Sequence, residues 1–503
     1  MRILHTSDWH LGRTFHGRVL DDAHAVFADH LVELARAEAV DAVVVSGDVY
    51  DRAIPPTDSV RLLDETLRRL SDITRVILTP GNHDSARRLG FASDLLREGL
   101  TIRARIADVD RPVIVPGPDG GDGLYVYALP YLDPDAARET LPPLLADRLG
   151  EEMADAARTA DPDADPDAAR TAPEGAGGHS EKAAGDPPGT ASDAATRRLP
   201  RSHEAVVSGA LRLVAADLAA RRAAAPARVP ALVMSHAFVV GGLPSEESER
   251  DIRVGGVDSV PSGVFASLGG SPSARECGGL DYVALGHLHR PQEIRSAGGA
   301  GRPNGPGKAS GTGGPDHSSR SGGTGGPEAG ESDEPDESGP PQQGPRPGPR
   351  LVYSGSPLAL SFSEAPFPKS SALVVLGPDG VASLERVPAP VPHRIETVTG
   401  TMDELLSPAW DHAAGAWVRA VVRGPMPLGA TSRLRERFGQ VLAIVREEDE
   451  EAPRERIVVT RAADPLEVSA QFLAEVAERA PSPAERAVLA RAYEAVLASH
   501  GGE

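Results

Sequence analysis

Five short stretches set metal-binding side-chain types close together: Asp8-x-His10, Gly47-Asp48-x-x-Asp51, Gly81-Asn82-His83-Asp84, Ser235-His236 and Gly286-His287-Leu288-His289. Carboxylate, imidazole and amide oxygen donors without a thiolate admit Mn²⁺, Mg²⁺ or Fe²⁺, and the imidazole–carboxylate mixture favours Mn²⁺ over Mg²⁺. A pair of divalent ions lowers the pKa of a water and clamps phosphate oxygens for in-line attack, so phosphoester hydrolysis is the chemistry indicated. Asp8 and His10 are two residues apart, as are His287 and His289, so an extended backbone turns each pair toward one point. Asp48 is the hub, and Gly47 lets the backbone turn tightly beside whatever it holds. A histidine such as His83, held by a neighbouring carboxylate, can act on a proton or on developing charge.

These side chains need strands to place them. Arg2 to Thr6, Asp41 to Val45, Arg75 to Thr79, Ala231 to Met234 and Tyr282 to Leu285 are short apolar runs, each ending in one of the motifs. In α/β sheets the carboxyl edge is where ligands sit. Ala23, Val26, Phe27, Leu31, Leu34 and Ala35 recur at helical spacing, and Thr57 reads as the N-cap of a helix reaching Leu70. On that second helix Val60, Leu63, Leu67 and Leu70 are expected to face the sheet. Strand, helix and parallel strand follow one another, so the fold class is α/β.

A chain of 503 residues exceeds one ordinary core, so more than one domain is expected. Lys+Arg 52 against Asp+Glu 73 leaves a formal charge of -21. That balance excludes coating nucleic acid by bulk attraction, and a role on DNA must rest on a local site. The single Cys277 excludes a disulfide framework and a multi-thiolate metal site. No signal-peptide pattern opens the sequence and no apolar run is long enough to span a bilayer, so a cytoplasmic protein without a membrane association is expected.

The motifs at 8–10, 47–51 and 81–84, each at a strand end and in this order, resemble the calcineurin-like metallophosphoesterase superfamily. Within it, His5-Thr6-Ser7-Asp8-Trp9-His10-Leu11-Gly12-Arg13, Gly47-Asp48-Val49-Tyr50-Asp51-Arg52, Tyr127-Ala128-Leu129-Pro130-Tyr131 and Tyr353-Ser354-Gly355-Ser356-Pro357-Leu358 look like the SbcD family of bacterial nuclease subunits. The likeness covers about 1–150, 204–295 and 350–500.

That resemblance implies a four-layer β-sandwich flanked by helices, with a smaller α+β capping domain and a C-terminal helical pair. It places the nuclease domain at 1–295 and 350–370, the capping domain at 371–462 and a partner-binding tail at 463–503. Acidic, Pro/Gly-rich residues 153–202 and Gly/Ser/Pro-rich residues 296–349 depart from the family and read as disordered inserts. The resemblance assigns Asp8, His10, Asp48 and His289 to one ion, and Asp48, Asn82, His236 and His287 to a second. It makes His83 the residue that stabilises the transition state and protonates the leaving oxygen, with Asp84 orienting it and Asp51, outside the ligand shell, positioning His83 or the DNA. Arg13, Arg52, Arg87 and Arg88 flank the motif loops as candidate phosphate contacts. The implied partners are double-stranded DNA, a coiled-coil ATPase of the SbcC type bound through the C-terminal helices, and a second copy of the chain.

A phosphatase or cyclic-nucleotide phosphodiesterase would use the same fold. Protein phosphatases of the superfamily tend to carry Arg-Gly after Gly-Asp and Glu after Asn-His, whereas this chain has Arg52-Ala53 and Asp84. A DNA-end scaffold with a decayed centre is disfavoured because every ligand and His83 are present.

Overall fold

A computed structural model describes residues 1–150, 198–245, 259–294 and 348–447, with isolated positions between 482 and 489. Most of both inserts and most of the helical pair expected at 465–480 and 483–499 lie outside the described residues.

Two six-stranded mixed sheets form the frame. The first runs Gly380–Pro388, Ser370–Gly377, Arg2–Thr6, Ala42–Ser46, Arg75–Thr79, Leu100–Ile102. The second runs Gln292–Ile294, Arg350–Tyr353, Tyr282–Gly286, Ala231–His236, Asp122–Ala128, Val113–Pro116. The strands that end in the chemical motifs are parallel to their motif-bearing neighbours. Such strands are covered on both faces, which is why Val43, Val44 and Val45 form an unbroken apolar run.

Alternate residues divide between cores. Ile3, Val44 and Ile77 share one with Leu232, Met234 and Ala284 of the other sheet. Leu4, Val43 and Val45 share another with Phe27, Leu31, Leu63 and Leu67 of the helices Asp21–Ala37 and Thr57–Ser71. On the second sheet Tyr127, Val233, Leu285 and Tyr353 join Leu141, Leu145, Leu211 and Leu218 of the helices Pro134–Leu149 and His203–Ala224.

The structure departs from the sequence reading in several places. Thr57 is the first helical residue, with Pro56 at the N-cap, and Val60 is exposed while Ser59 and Leu63 are buried. A three-residue step in a 3.6-residue turn lets only part of such a stripe reach the core. Leu199 is fully buried, and the Ser202 hydroxyl caps the His203–Ala224 helix by accepting from the Ala205 amide at 3.2 Å. Residues 199–202 therefore belong to the folded domain, and not to the insert drawn at 153–202.

The strands expected at 372–376 and 381–387 do not form part of a separate capping sheet. The first lies antiparallel to Arg2–Thr6, with Leu4 opposite Leu373, and the second pairs with the first. Period-two alternation identifies a strand but not its partner, and here the partner is the start of the chain. A distinct three-stranded sheet does follow, from Ile395–Gly400, Trp417–Arg423 and Val441–Glu447. Its short helix Met402–Leu405 opens on a capping box between Thr401 and Glu404. Among the described residues no helix is long and apolar enough to cross a membrane.

One buried hydroxyl links the second sheet to the loop after His236. Tyr353 Oη donates to the Ala237 carbonyl at 2.7 Å and accepts from the Val239 amide at 2.8 Å. Tyr353→Phe leaves both backbone groups unsatisfied, so the midpoint of chemical denaturation should fall by the equivalent of about 1–3 kcal/mol. A midpoint equal to wild type would mean that the loop satisfies itself another way.

Candidate metal centre

The first two motif loops continue the pairing of their strands. The Asp8 amide donates to the Gly47 carbonyl (3.1 Å), His10 to Asp48 (3.0 Å) and Leu11 to Val49 (2.9 Å), and the Asp51 amide returns to Leu11 (3.1 Å). Asp8, His10, Asp48 and His287 all hold left-handed backbone, with φ of 54°, 48°, 49° and 103°. Non-glycine residues rarely adopt it, at a cost of about 1–3 kcal/mol each, and such strain collects at functional sites.

Two glycines bring backbone against the ligands. A Cβ on Gly47, itself at φ 84°, would run into the His236 ring. One on Gly286 would run into the Ser46 carbonyl oxygen, with His236 Nδ1 at 2.8 Å. The two sheets therefore meet at His236, whose Nδ1 lies 3.0 Å from that same carbonyl.

Asp48 sits at the middle, almost fully buried. Its Oδ1 accepts from the His83 amide at 2.9 Å. Its Oδ2 faces Nε2 of His236 at 3.3 Å, of His10 at 3.6 Å and of His83 at 4.0 Å. Burial favours the neutral acid, but these imidazoles hold the Asp48 carboxyl well below its ordinary value. Burial likewise pulls His236 down, yet the Asp48 carboxylate pushes it up to about 9. His287 is held well below the usual imidazole range, by burial first and by His236 second.

Among the described residues, donor atoms lie within 4.8 Å of one another in each of three groups: Asp8, His10 and His289; His10, Asp48 and His83; Asp8, Asp48 and His236. His10 Nε2 and His289 Nε2 face each other at 3.1 Å, and Asn82 Oδ1 lies 2.9 Å from His236 Nε2. His287 joins through its amide, which donates to Asp8 Oδ1 at 2.9 Å, and through its ring, 5.4 Å from that of His236. Convergent imidazole nitrogens beside two carboxylates and an amide oxygen fit divalent cations. Among the described residues the buried His10 Nδ1 has no hydrogen-bond partner, and it lies 3.6 Å from Asp51 Oδ1.

The residues beside these ligands tie the motif loops to one another. Asp84 accepts from the amides of Gly81 (2.9 Å), Val49 (3.0 Å) and Tyr50 (2.9 Å), locking the second loop to the third. Burial and then the Asp48 charge push its carboxyl up to about 7. His83 Nδ1 sits 2.8 Å from the Asp51 carbonyl. The Asp51 side chain takes a hydrogen bond from Arg13 at 2.9 Å. Burial opposes ionisation there, but His10 and Arg13 hold the carboxyl below its ordinary value. Arg13 is thus engaged inside the protein, Arg88 donates to the Ala53 carbonyl at 2.7 Å, and Arg52 and Arg87 are exposed.

The motifs give no hint of Glu364 and Lys369. Both are buried, and Glu364 Oε1 lies 3.0 Å from His289 Nδ1 while Oε2 pairs with Lys369. Burial disfavours the Glu364 anion, but Lys369 and His289 keep its carboxyl well below the ordinary range. An isolated Glu closing the short 3₁₀ helix Phe362–Glu364, and a Lys five residues on, carry no signal in sequence, because only the fold buries them.

The calcineurin-like phosphoesterase family matches residues 1–136. The chain is 34% identical over 305 residues to the SbcD subunit of nuclease SbcCD from Rhodobacter capsulatus, covering 58% of this chain and 59% of that one. It is 29% identical over 389 residues to the SbcD subunit from Bacillus subtilis, covering 77% and 69%. Against the SbcD subunit from Staphylococcus saprophyticus it is 26% identical over 299 residues, covering 59% and 58%. In the first and third the match spans just under three fifths of the relative's length. These findings support an SbcD-like metallophosphoesterase, with the mixed sheets and helices of the calcineurin-like fold.

Gly286→Ala tests the seam between the sheets, since its Cβ meets backbone that cannot rotate away. We expect a destabilisation of about 1–3 kcal/mol, read from the denaturation midpoint. An alanine variant as stable as wild type would show that the two strand ends have room to part.

Proposed function

We propose that this protein is a metal-dependent DNA nuclease subunit that hydrolyses phosphodiester bonds at double-stranded ends and hairpins in DNA repair and recombination. The observation that carries the reading is the grouping of Asp8, His10, Asp48, His236 and His289 donor atoms into overlapping clusters, with Asn82 Oδ1 beside His236, in a chain similar to SbcD subunits. Two divalent ions fit, Mn²⁺ favoured and Mg²⁺ possible: Asp8, His10, Asp48 and His289 would hold one, and Asp48, Asn82, His236 and His287 the other. When bound, such a pair supplies an activated water and charge to stabilise the transition state.

The chain's own groups supply the rest. With Nδ1 donating to the Asp51 carbonyl, the His83 ring is directed by Nε2 toward Asp48. From there it can donate to a phosphate oxygen and pass a proton to the leaving 3′ oxygen. Asp84 keeps the loop bearing Asn82 and His83 in register with the Asp48 loop. Arg52, Arg87 and Arg88 are the candidate contacts to the DNA backbone.

The reading extends to architecture and partners. The cores on either side of the sheets support a four-layer sandwich. The three-stranded module at 395–447 would cap the DNA-binding face, and the helical pair at 463–503 would grip the coiled coil of an SbcC-like ATPase. A homodimer and a cytoplasmic location complete it.

The test is cleavage of a linear duplex and a hairpin with Mn²⁺, with and without the ATPase partner and ATP. Asp48→Ala should abolish cleavage, while His83→Ala should keep DNA binding and lose about 10²–10⁴-fold in rate. Hydrolysis of bis-p-nitrophenyl phosphate with DNA untouched would replace the nuclease by the phosphodiesterase alternative. Wild-type cleavage by His83→Ala would remove His83 from the mechanism.

A further inference from the structure

Behind His289 lies a buried ion pair that none of the sequence motifs contains. Glu364 is fully buried and Lys369 nearly so. The Lys369 ammonium donates its three protons to three acceptors: Glu364 Oε2, Ser356 Oγ at 2.8 Å and the His289 carbonyl at 3.1 Å. Glu364 Oε2 also accepts from the Leu360 amide at 3.2 Å, and its Oε1 faces His289 Nδ1 at 3.0 Å. The pair thus holds His289 twice, by its ring through Glu364 and by its backbone through Lys369.

The chemistry of that grip is directional. A carboxylate accepts only, so the proton sits on His289 Nδ1 and the Nε2 lone pair is left facing His10 Nε2 at 3.1 Å. An anion behind an imidazole also makes its far nitrogen a stronger donor to a cation. The opposite side of the centre is built differently. His236 Nδ1 is backed by the neutral Ser46 carbonyl at 3.0 Å, and Asn82 contributes an uncharged amide oxygen.

We propose that the Glu364–Lys369 pair is a positioning device for His289 that makes the Asp8–His10–His289 side of the centre the tighter of two unequal cation sites. The inference rests on the metal reading above. Lys369 neutralises a carboxylate that could not otherwise be buried at full charge, and Glu364 transmits that charge to one ligand only. Among the described residues no carboxylate stands behind His236 Nδ1, so an ion on the Asn82–His236 side would lack that support and the two sites would fill in order.

Titration of metal-free protein with Mn²⁺, counting free Mn²⁺ by its electron paramagnetic resonance signal, separates the two classes. Wild type should show a tight and a weak class of one ion each. Glu364→Gln should weaken the tight class about 10–100-fold and leave the weak class within about 3-fold. Asn82→Ala should do the reverse. The double variant Glu364→Gln/Lys369→Met removes both buried charges together and should show the same selective loss with a melting temperature near wild type.

Two classes unchanged in both Glu364 variants would overturn the proposal. So would equal weakening of both classes, which is what a merely structural role would produce. Wild type binding no Mn²⁺ at all would overturn the metal reading itself, whereas failure confined to the Glu364 variants would leave that reading standing.

Discussion

A carboxylate buried between two sheets is the constraint on which the structure depends. Asp48 has almost no contact with solvent, and an isolated charge there would be prohibitively costly. It is tolerated because the His83 amide binds one oxygen and three imidazoles surround the other. Those partners come from three other chain segments, so every loop must arrive together for the charge to be accommodated. The same arrangement makes a small volume crowded with lone pairs, suited to cations.

Holding the loops there takes unusual backbone. Four candidate ligands adopt left-handed φ, a strain that collects at functional sites. The Asp8 and Asp48 loops extend their strands by four further hydrogen bonds, and Asp84 ties the Asp48 loop to the next. The carboxylates in the site therefore divide their work. Asp8 and Asp48 face the centre, Asp84 binds the amides of two loops, and Asp51 and Glu364 stand behind histidines with a cation at their backs.

Much of this was legible in the sequence, for identifiable reasons. A strand covered on both faces must be apolar at every position, so Val43-Val44-Val45 announces itself, and a Gly-Asp immediately after it marks the carboxyl edge. Patterns of partnership were less legible. The alternation at 372–387 showed strands but not that they pair with residues 2–5, and Leu199 looked like part of a polar tract although it fills a core. Arg13 read as a candidate phosphate contact beside a loop, yet it is bound to Asp51.

By itself the sequence determined the donor chemistry and its local spacing. Residue type decides whether an atom is a carboxylate oxygen or an imidazole nitrogen, and an extended backbone decides that residues two apart share a side. Tertiary structure alone decided which nitrogen meets which oxygen. His10 and His289 are 279 residues apart, and Glu364 reaches His289 across 75. Contacts at that separation arise only when the sheets close on each other, because hydrogen-bond partners are a property of the packed fold and not of the chain segment that carries them.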